Sequence, residues 1–503
     1  MKVFLLGAGP GDPGLLTLKA RDILSLADVI VYDALANKQL LSLAKEDAEI
    51  LYVGKIAGNH ALPQDEINAL LIRKAKEKKN VARLKGGDPY IFGRGGEEAE
   101  ALREAGIPFE EVPGISSTIA APAYAGIPLT HRDLVSQVTF ITGHEKGGKE
   151  SSNINWEALA KSRATLVFVM GMKNLPHIVE RLLHSGLSPQ TPAALIYRGT
   201  TSQQRSLTSP LALLPARAKE EGFTNPSVIV VGEVVSLHTK LNWFEEKPLF
   251  GRSIVVTRAR EQASDLTCAL TERGAEVIEC PTIRIAPLPD YTELDSAIKN
   301  LAVYQWIIFT SVNGVRFFFE RLHALGLDSR HLSGCSFCTI GPATAKALAC
   351  HGIYADLTPE RYVAESLADA FLKANTAPAR ILLPRASEAR DVLPDRLRAE
   401  AMTVDVVPCY RTVPDGSEAA SVQERLKAGT LSCITFTSSS TVKNFLSVVP
   451  KELLQANQNV RLAAIGPVTA RTIRDAGLTC HIEAEEYTIP ALVTAVTKAF
   501  APQ

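Results

Sequence analysis

Residues 3–14 read VFLLGAGPGDPG, a short apolar run that passes directly into a loop of glycine and proline. A run of this length that ends in glycines predicts a buried β-strand followed by a sharp turn. Glycine in such a turn permits a positive φ and lets a ligand approach the backbone closely. The segment therefore predicts a first strand with a ligand site at its end, as is typical of α/β folds.

Short apolar runs alternate with longer amphipathic stretches through the rest of the chain, which predicts an α/β protein with mainly parallel sheets. A chain of 503 residues is too long for one ordinary core. A polar, proline-containing stretch precedes a new predicted strand at 254–257, and we place the main boundary there. The predicted parts are a first domain at 1–245 with subdomains at about 1–115 and 116–245, a linker at 246–250, and a second domain at 251–503.

Charge and cysteine usage exclude several kinds of partner. Basic and acidic residues are balanced at 54 each, so the chain has no global field for nucleic acid or an anionic membrane. No stretch approaches the roughly 20 apolar residues that span a bilayer, and Gly7 interrupts the apolar N-terminus, so we predict a cytoplasmic protein. The eight cysteines begin at Cys268 and lie mostly in apolar runs, which is typical of reduced thiols. We predict no metal site.

The second half repeats itself. VTRA at 256–259 returns as LPRA at 383–386, FTS at 309–311 as FTS at 436–438, and IGPAT at 340–344 as IGPVT at 465–469. The first two pairs are offset by 127 residues and the third by 125, which predicts two similar lobes. Hydroxyls and backbone amides at these helix starts suit carboxylates, although helix capping alone also explains single serines and threonines.

The glycine loop does not favour a dinucleotide, because Pro10 and Pro13 interrupt the usual G-x-G-x-x-G helix entry. Residues 7–12 instead resemble the opening motif of the tetrapyrrole methyltransferases, in particular the uroporphyrinogen III C-methyltransferases. The resemblance extends over nearly all of 1–245. Its segments are VGK at 53–55, PQDEIN at 63–68, RLKGGDPYIFGRGGEE at 83–98, VPGISS at 112–117, GIPLTHR at 126–132 and TGH at 142–144.

This resemblance implies a two-subdomain tetrapyrrole methylase fold that binds S-adenosylmethionine. The residues it implies for that co-substrate are Pro10, Gly86, Gly87, Asp88, Ile91, Ser116, Ser117, Met170 and Gly199. It also implies a base role for Asp33 and a proton-donor role for Lys55, at the tips of two predicted strands. A substrate with eight carboxylates favours arginines, and Arg83, Arg94 and Arg132 occur in the matching segments, although each also suits a salt bridge.

The second half resembles uroporphyrinogen III synthase, a family of two flavodoxin-like lobes joined by a two-stranded linker. The segments are the repeats above together with WIIFTSVNGV at 306–315, VPCYRT at 407–412, ITFTSSS at 434–440 and AIGPVTA at 464–470. The implied lobe A is about 251–285 plus 414–503, and lobe B is about 290–409. The resemblance makes Tyr410 the catalytic candidate. The proposed substrate holders are Ser311, Thr344, Ser438 and Thr469, with Arg258 and Arg385 adding charge.

The two resemblances together predict a bifunctional enzyme. The second half is expected to cyclise hydroxymethylbilane to uroporphyrinogen III with inversion of the last ring. The first half is expected to methylate that product at C2 and C7, giving precorrin-2 for sirohaem or cobalamin. Similar methyltransferases are homodimers. The alternatives are a methyltransferase for corrinoid precursors, ribosomal RNA or a modified histidine, and a second half that binds tetrapyrroles only to regulate the first.

Overall fold

The computed structural model describes residues 2–45, 47–54, 62–77, 79–143, 154–258, 260–375, 377–389 and 391–501. Across these ranges the chain forms four five-stranded sheets, each accompanied by helices, so the predicted α/β class is confirmed. Two compact units are present, one of 1–253 with 269–277 and 497–503, the other of 254–268 with 278–496. None of the helices so described is both long and apolar enough to cross a membrane.

The first sheet is fully parallel and follows the glycine-rich opening. Its strands are β1 (Val3–Gly7), β2 (Val29–Tyr32), β3 (Glu49–Tyr52), β4 (Val81–Lys85) and β5 (Phe109–Val112). The accompanying helices are α1 (Leu18–Leu26), α2 (Gln64–Lys76) and α3 (Gly95–Glu104), whereas α4 (Ser117–Tyr124) follows β5 and packs against the second sheet. The order is β3-β2-β4-β1-β5, so the carboxyl ends of all five strands share one edge. The loops that carry the predicted site begin at that edge.

The second sheet is mixed, which corrects the expectation of mainly parallel strands for this part. Its strands are β6 (Val138–Thr142), β7 (Thr165–Val169), β8 (Pro192–Tyr197), β9 (Arg205–Pro210) and β10 (Ser227–Val231). The helices are α5 (Trp156–Lys161), α6 (Leu175–His184), α7 (Leu214–Glu220) and α8 (His238–Leu241). In the order β6-β7-β10-β8-β9, β10 runs antiparallel to both neighbours. The loop 198–204 joins β8 and β9 into a hairpin, which apolar patterning alone does not reveal.

The second half contains two further sheets. Lobe A has β11 (Ser253–Val256), β12 (Glu276–Glu279), β18 (Cys433–Phe436), β19 (Arg461–Ala464) and β20 (Ile482–Glu483). Lobe B has β13 (Ile283–Ala286), β14 (Trp306–Phe309), β15 (Ser336–Thr339), β16 (Arg380–Ala386) and β17 (Thr403–Pro414). The helices are α9 (Arg260–Glu272), α10 (Thr292–Lys299), α11 (Val312–Ala324), α12 (Pro342–Ala349), α13 (Ala364–Ala374), α14 (Val392–Ala399), α15 (Ala419–Lys427), α16 (Ser439–Val448), α17 (Lys451–Ala456), α18 (Pro467–Asp475) and α19 (Ile489–Phe500).

The sequence repeat corresponds to a structural repeat. Lobe A is ordered β12-β11-β18-β19-β20, the flavodoxin-like 2-1-3-4-5 arrangement. Lobe B is ordered β13-β17-β16-β14-β15, so β14, β15 and β16 of lobe B match β18, β19 and β11 of lobe A. In chain order β11 is the first strand of lobe A, whereas its counterpart β16 follows β14 and β15, so the lobes are circularly related. The prediction of two flavodoxin-like lobes is confirmed. The circular relation between them was not predicted from the sequence.

A two-stranded link joins the lobes, as predicted. The end of β17 pairs antiparallel with β13, with Ile283 opposite Pro414 and Ala286 opposite Arg411. Proline ends the long strand, where its missing amide does not interrupt the ladder.

The segment 246–250, predicted as a polar linker, contains a buried anchor. Leu249 is fully buried and donates its amide to the carbonyl of Arg273. Just before it, Phe244 is buried against Tyr124 of α4. The domain boundary remains a prediction, but this stretch is packed and does not act as a free tether.

Candidate active sites

Three glycine backbones meet at the carboxyl edge of the first sheet. A Cβ on Gly7 would lie 2.3 Å from Cα of Gly114 and 2.8 Å from the carbonyl oxygen of Gly87. Gly87 also pairs with Gly9, its amide donating to the Gly9 carbonyl at 2.7 Å. No side chain fits at Gly7, so glycine is required there for close backbone approach.

Gly86 and Gly87 differ in what surrounds them. A Cβ on Gly86 would lie 2.4 Å from Cβ of Leu35, so that side is filled. Gly87 has φ +72°, and a Cβ there would meet only Cα of Ser116 and the amide nitrogen of Ser117, both at 3.8 Å. The turn after β4 therefore leaves an open cradle beside the start of α4, of the kind that a bound cofactor fills.

Asp88 holds the turn that forms this cradle. Its Oδ1 accepts the amides of Tyr90 at 2.8 Å and Ile91 at 2.9 Å, and its Oδ2 accepts the amide of Gly114 at 3.0 Å. The carboxylate is thus occupied by the backbone. Asp88 shapes the cradle, whereas Ile91 exposes its apolar side chain beside it.

The loop after β8 closes against the opening glycine loop. The amide of Asp12 donates to Oγ1 of Thr200 at 3.1 Å, and a Cβ on Gly199 would lie 2.4 Å from Cβ of Ala121 in α4. The structure thereby brings the loop of Pro10 together with Gly199. Met170 is half-exposed at the end of β7, with φ +56°. It lies on the same edge of the second sheet as Gly199.

Ser116 caps α4 and is buried next to the cradle. Its Oγ accepts the Thr118 amide at 3.3 Å and the Thr118 hydroxyl at 2.9 Å. Its place beside Gly87 suits a ligand contact through backbone atoms, since its hydroxyl already serves the cap.

A network of four charges, three of them buried, lies at the same edge. Arg83 donates from Nη2 to Asp33 at 3.0 Å and from Nε to Glu98 at 3.3 Å, and Nζ of Lys85 donates to Glu98 at 2.8 Å. Glu98 is fully buried, and burial lowers the pKa of Lys85. The two cations and two anions compensate one another, which is the condition for burying charge.

This network bears on the predicted role of Arg83 in substrate binding. Its guanidinium is buried and also donates to the carbonyl of Leu84 at 3.1 Å, so its donors are engaged within the protein. The geometry favours a structural role over substrate binding, because an engaged, buried guanidinium offers nothing to a substrate carboxylate. Glu98 and Lys85 were missed from the sequence. The available signal was the i, i+2 spacing of Arg83 and Lys85, which places both on one face of β4.

Arg94 and Arg132 lie outside this network. Arg94 is exposed and pairs with Glu97 at 2.6 Å, and Arg132 is exposed. Asp33 accepts the Leu35 amide with Oδ1 at 3.1 Å, while Oδ2 receives the guanidinium. Lys55 lies outside the described residues.

In lobe B, Tyr410 is buried and forms a hydrogen bond with Oγ of Ser311 at 3.0 Å. Ser311 caps α11 by accepting the Gly314 amide at 2.9 Å, and the Tyr410 ring stacks on Phe317 with centroids 5.5 Å apart. Burial raises the pKa of Tyr410, so its hydroxyl is held in the protonated, donating form. Two of the predicted residues thus form one unit.

The other synthase candidates follow the repeat. Ser438 caps α16 by accepting the Thr441 amide at 3.2 Å, just as Ser311 caps α11. Thr344 and Thr469 are buried in the first turns of α12 and α18.

Of the two arginines of the repeat, one is buried and the other partly buried. Arg385 is buried and forms an ion pair with Asp391. Burial lowers the pKa of Arg258, which is partly buried. In the part of the chain that the structure describes, no three His, Cys, Asp or Glu side chains are placed to hold a metal ion.

An open glycine cradle on one pair of sheets, followed by two repeated flavodoxin-like lobes, defines a two-part α/β enzyme. Residues 2–215 match the family model of the tetrapyrrole (corrin/porphyrin) methylases, and residues 264–494 match that of uroporphyrinogen-III synthase HemD. The chain belongs to both families, as a fusion of a tetrapyrrole methylase with a uroporphyrinogen-III synthase.

Curated relatives agree with this assignment. The porphyrin biosynthesis protein HemD of Ruminiclostridium josui is 40% identical over 98% of this chain and 96% of its own. A uroporphyrinogen-III C-methyltransferase of Bacillus subtilis is 46% identical over 66% of this chain and 68% of its own. An S-adenosyl-L-methionine-dependent uroporphyrinogen III methyltransferase of Methanosarcina barkeri is 55% identical over 47% of this chain and 93% of its own.

Proposed function

We propose that the second half cyclises hydroxymethylbilane to uroporphyrinogen III, and that the first half methylates this product at C2 and C7 to give precorrin-2. S-adenosylmethionine is the methyl donor. The observation that carries the proposal is the pairing of the two sites in one chain, an open glycine cradle followed by two lobes whose strand ends repeat the same hydroxyl and Gly-Pro motifs. The product of one half is then the substrate of the other.

In the first half, the cradle residues Gly87, Ser116, Ser117, Pro10 and Gly199 hold the co-substrate mainly through backbone groups. The bound sulfonium supplies an electrophilic methyl group. The electron-rich pyrrole carbon attacks it directly, so the protein acts mostly by positioning. Asp33 and Lys55 are proposed for the proton that must leave the ring afterwards, and Ile91 and Met170 provide apolar contact.

The exposed Arg94 and Arg132 are proposed to bind substrate carboxylates. Arg94 is held by Glu97 through two contacts, at 2.9 Å and 2.6 Å, which orients its guanidinium. Release of Arg94 from that exposed pair costs little, because such pairs contribute about 0–1 kcal/mol.

In the second half, Tyr410 is proposed to help the terminal hydroxyl of hydroxymethylbilane to leave. Its phenol remains protonated and Ser311 fixes its direction, which suits a hydrogen-bond donor to a leaving oxygen. Loss of the hydroxyl gives an azafulvene, which closes through a spiro intermediate with inversion of the last ring. The substrate carboxylates are held by the repeated helix starts around Ser311, Ser438, Thr344 and Thr469.

The purified chain tests this proposal directly. We expect hydroxymethylbilane alone to give the type III isomer and hydroxymethylbilane with S-adenosylmethionine to give a dimethylated dihydro product, both identified after oxidation and chromatography. Uroporphyrinogen III supplied with the methyl donor tests the first half alone. Only the spontaneous type I isomer would reduce the second half to a binding or regulatory domain. A homodimer formed through the first half, and a cytoplasmic location, remain predictions.

A further inference from the structure

Each lobe of the second half exposes one tyrosine at an equivalent position. Tyr362 precedes α13 in lobe B and is 60% exposed, and Tyr487 precedes α19 in lobe A and is 71% exposed. The two are 125 residues apart, the same offset as the Gly-Pro motifs. A large aromatic side chain left exposed twice at one site of a repeat calls for an explanation, since tyrosine rings usually bury most of their area.

Both rings cover the glycine that starts the neighbouring helix. A Cβ on Gly341 would lie 3.2 Å from ring carbons of Tyr362, and a Cβ on Gly466 would lie 2.4 Å from the ring of Tyr487. Gly341 and Gly466 are the N-caps of α12 and α18. Each tyrosine therefore rests on bare backbone at the carboxyl edge of its own sheet.

A cavity lies beside the lobe B tyrosine. Its volume is about 330 Å³, and Thr310, Tyr362 and Arg385 are among the side chains that line it. Thr310 follows β14 and Arg385 lies near the end of β16, the two strands between which the sheet order reverses. Ligands of open α/β sheets bind at this switch point. Thr437, Tyr487 and Arg258 occupy the corresponding positions in lobe A.

We propose that Tyr362 and Tyr487 are paired aromatic platforms that stack against pyrrole rings of the linear tetrapyrrole, one platform in each lobe. The inference rests on the proposed function and adds a recognition element for the rings to the hydroxyls and helix starts that suit the carboxylates. Flat, electron-rich rings stack on tyrosine with offset or edge-to-face geometry. The platforms would hold the flexible chain folded, which is the main task of a cyclising enzyme.

Substitution of the tyrosines by leucine tests the proposal. Leucine still covers the glycine but has no aromatic face, whereas Tyr362→Phe and Tyr487→Phe keep the face and lose only the hydroxyl. We expect each leucine variant to raise the KM for hydroxymethylbilane by roughly 2- to 12-fold and to increase the share of the type I isomer. The phenylalanine variants should remain close to the unmodified chain. Tyr354→Leu is the matched control, because Tyr354 is 82% exposed in lobe B and lies away from the cavity lining.

Thermal melting of the same preparations, followed by circular dichroism, reports whether the second half remains folded, and methylation of supplied uroporphyrinogen III reports the same for the first half. Leucine variants with unchanged KM and isomer ratio would overturn the platforms while leaving the synthase activity standing. If the unmodified chain forms no type III isomer, the synthase proposal itself fails. In that case, titration with uroporphyrin III tests the two tyrosines by binding alone. The double leucine variant is expected to lose one class of binding sites. Equal binding by the variant and the unmodified chain refutes the inference.

Discussion

Alanine at Gly87 adds one methyl group where the structure leaves the cradle open. The φ of +72° costs an alanine about 1–2 kcal/mol. The added carbon meets Ser116 and Ser117 at 3.8 Å, an ordinary van der Waals distance, so packing adds no further cost. We therefore expect Gly87→Ala to lower the free energy of unfolding by about 1–2 kcal/mol and to leave the chain folded.

The same methyl group should strongly affect the co-substrate. If the ligand lies against the Gly87 backbone, the methyl group occupies part of its volume, and overpacking of this kind costs about 1–3 kcal/mol. That range corresponds to roughly 5- to 150-fold weaker binding. Calorimetric titration with S-adenosylhomocysteine measures it without turnover.

Gly106→Ala is the matched control. Gly106 has φ +69° and no atom within 4 Å of an added Cβ, so it carries the same backbone cost away from the cradle. Both variants should lose similar stability, and only Gly87→Ala should bind the ligand more weakly. Equal affinities in the two variants would refute a ligand over Gly87. Gly114→Ala differs from both, because its Cβ would lie 2.3 Å from the Gly87 carbonyl oxygen and should prevent folding.

Three further outcomes are expected. Tyr410→Phe removes the hydroxyl that bonds Ser311 and should slow formation of the type III isomer, while methylation of supplied uroporphyrinogen III stays unchanged. Tyr124→Phe removes the 2.7 Å bond to Oδ2 of Asp12 and should weaken S-adenosylhomocysteine binding by about 0.5–1.5 kcal/mol, measured by titration, with unchanged affinity contradicting a bracing role. Hydrogen bonds from two lysines lower the pKa of Glu110 from 4.5 to about 2. Because the folded-state pKa is depressed, the contribution of Glu110 to stability is complete above pH 4.5 and is lost as the pH falls through about 2. The difference in melting temperature between the unmodified chain and Glu110→Gln should therefore shrink across that range.

The sequence predicted most of what depends on local pattern. The strand and glycine loop at 3–14, the repeat, and the two-stranded link at 410–414 are all present in the structure. These features are encoded over short stretches, where apolar period, glycine and proline act directly on the backbone. The serine caps at Ser311 and Ser438 follow from the same local chemistry.

Contacts between residues far apart in the chain were harder to predict from the sequence. The antiparallel β10 lies between two strands that precede it by about 35 and 60 residues, and no local signal sets its direction. The partner of Arg83 was equally hidden, because Glu98 comes from the next helix and its burial depends on tertiary packing. The circular relation of the lobes also depends on which strands pair across the chain.

The buried charges suggest why the first sheet keeps so polar an edge. A buried ion pair usually stabilises a fold no better than apolar residues of similar volume, so stability alone does not explain Asp33, Arg83, Lys85 and Glu98. Lys85 is the last residue of β4, directly before Gly86, and Asp33 follows β2. Their shared contacts therefore fix the two strand ends from which the cradle starts. Apolar residues in place of the four would preserve burial but would no longer fix the orientation of those strand ends. A ligand site needs that fixed orientation.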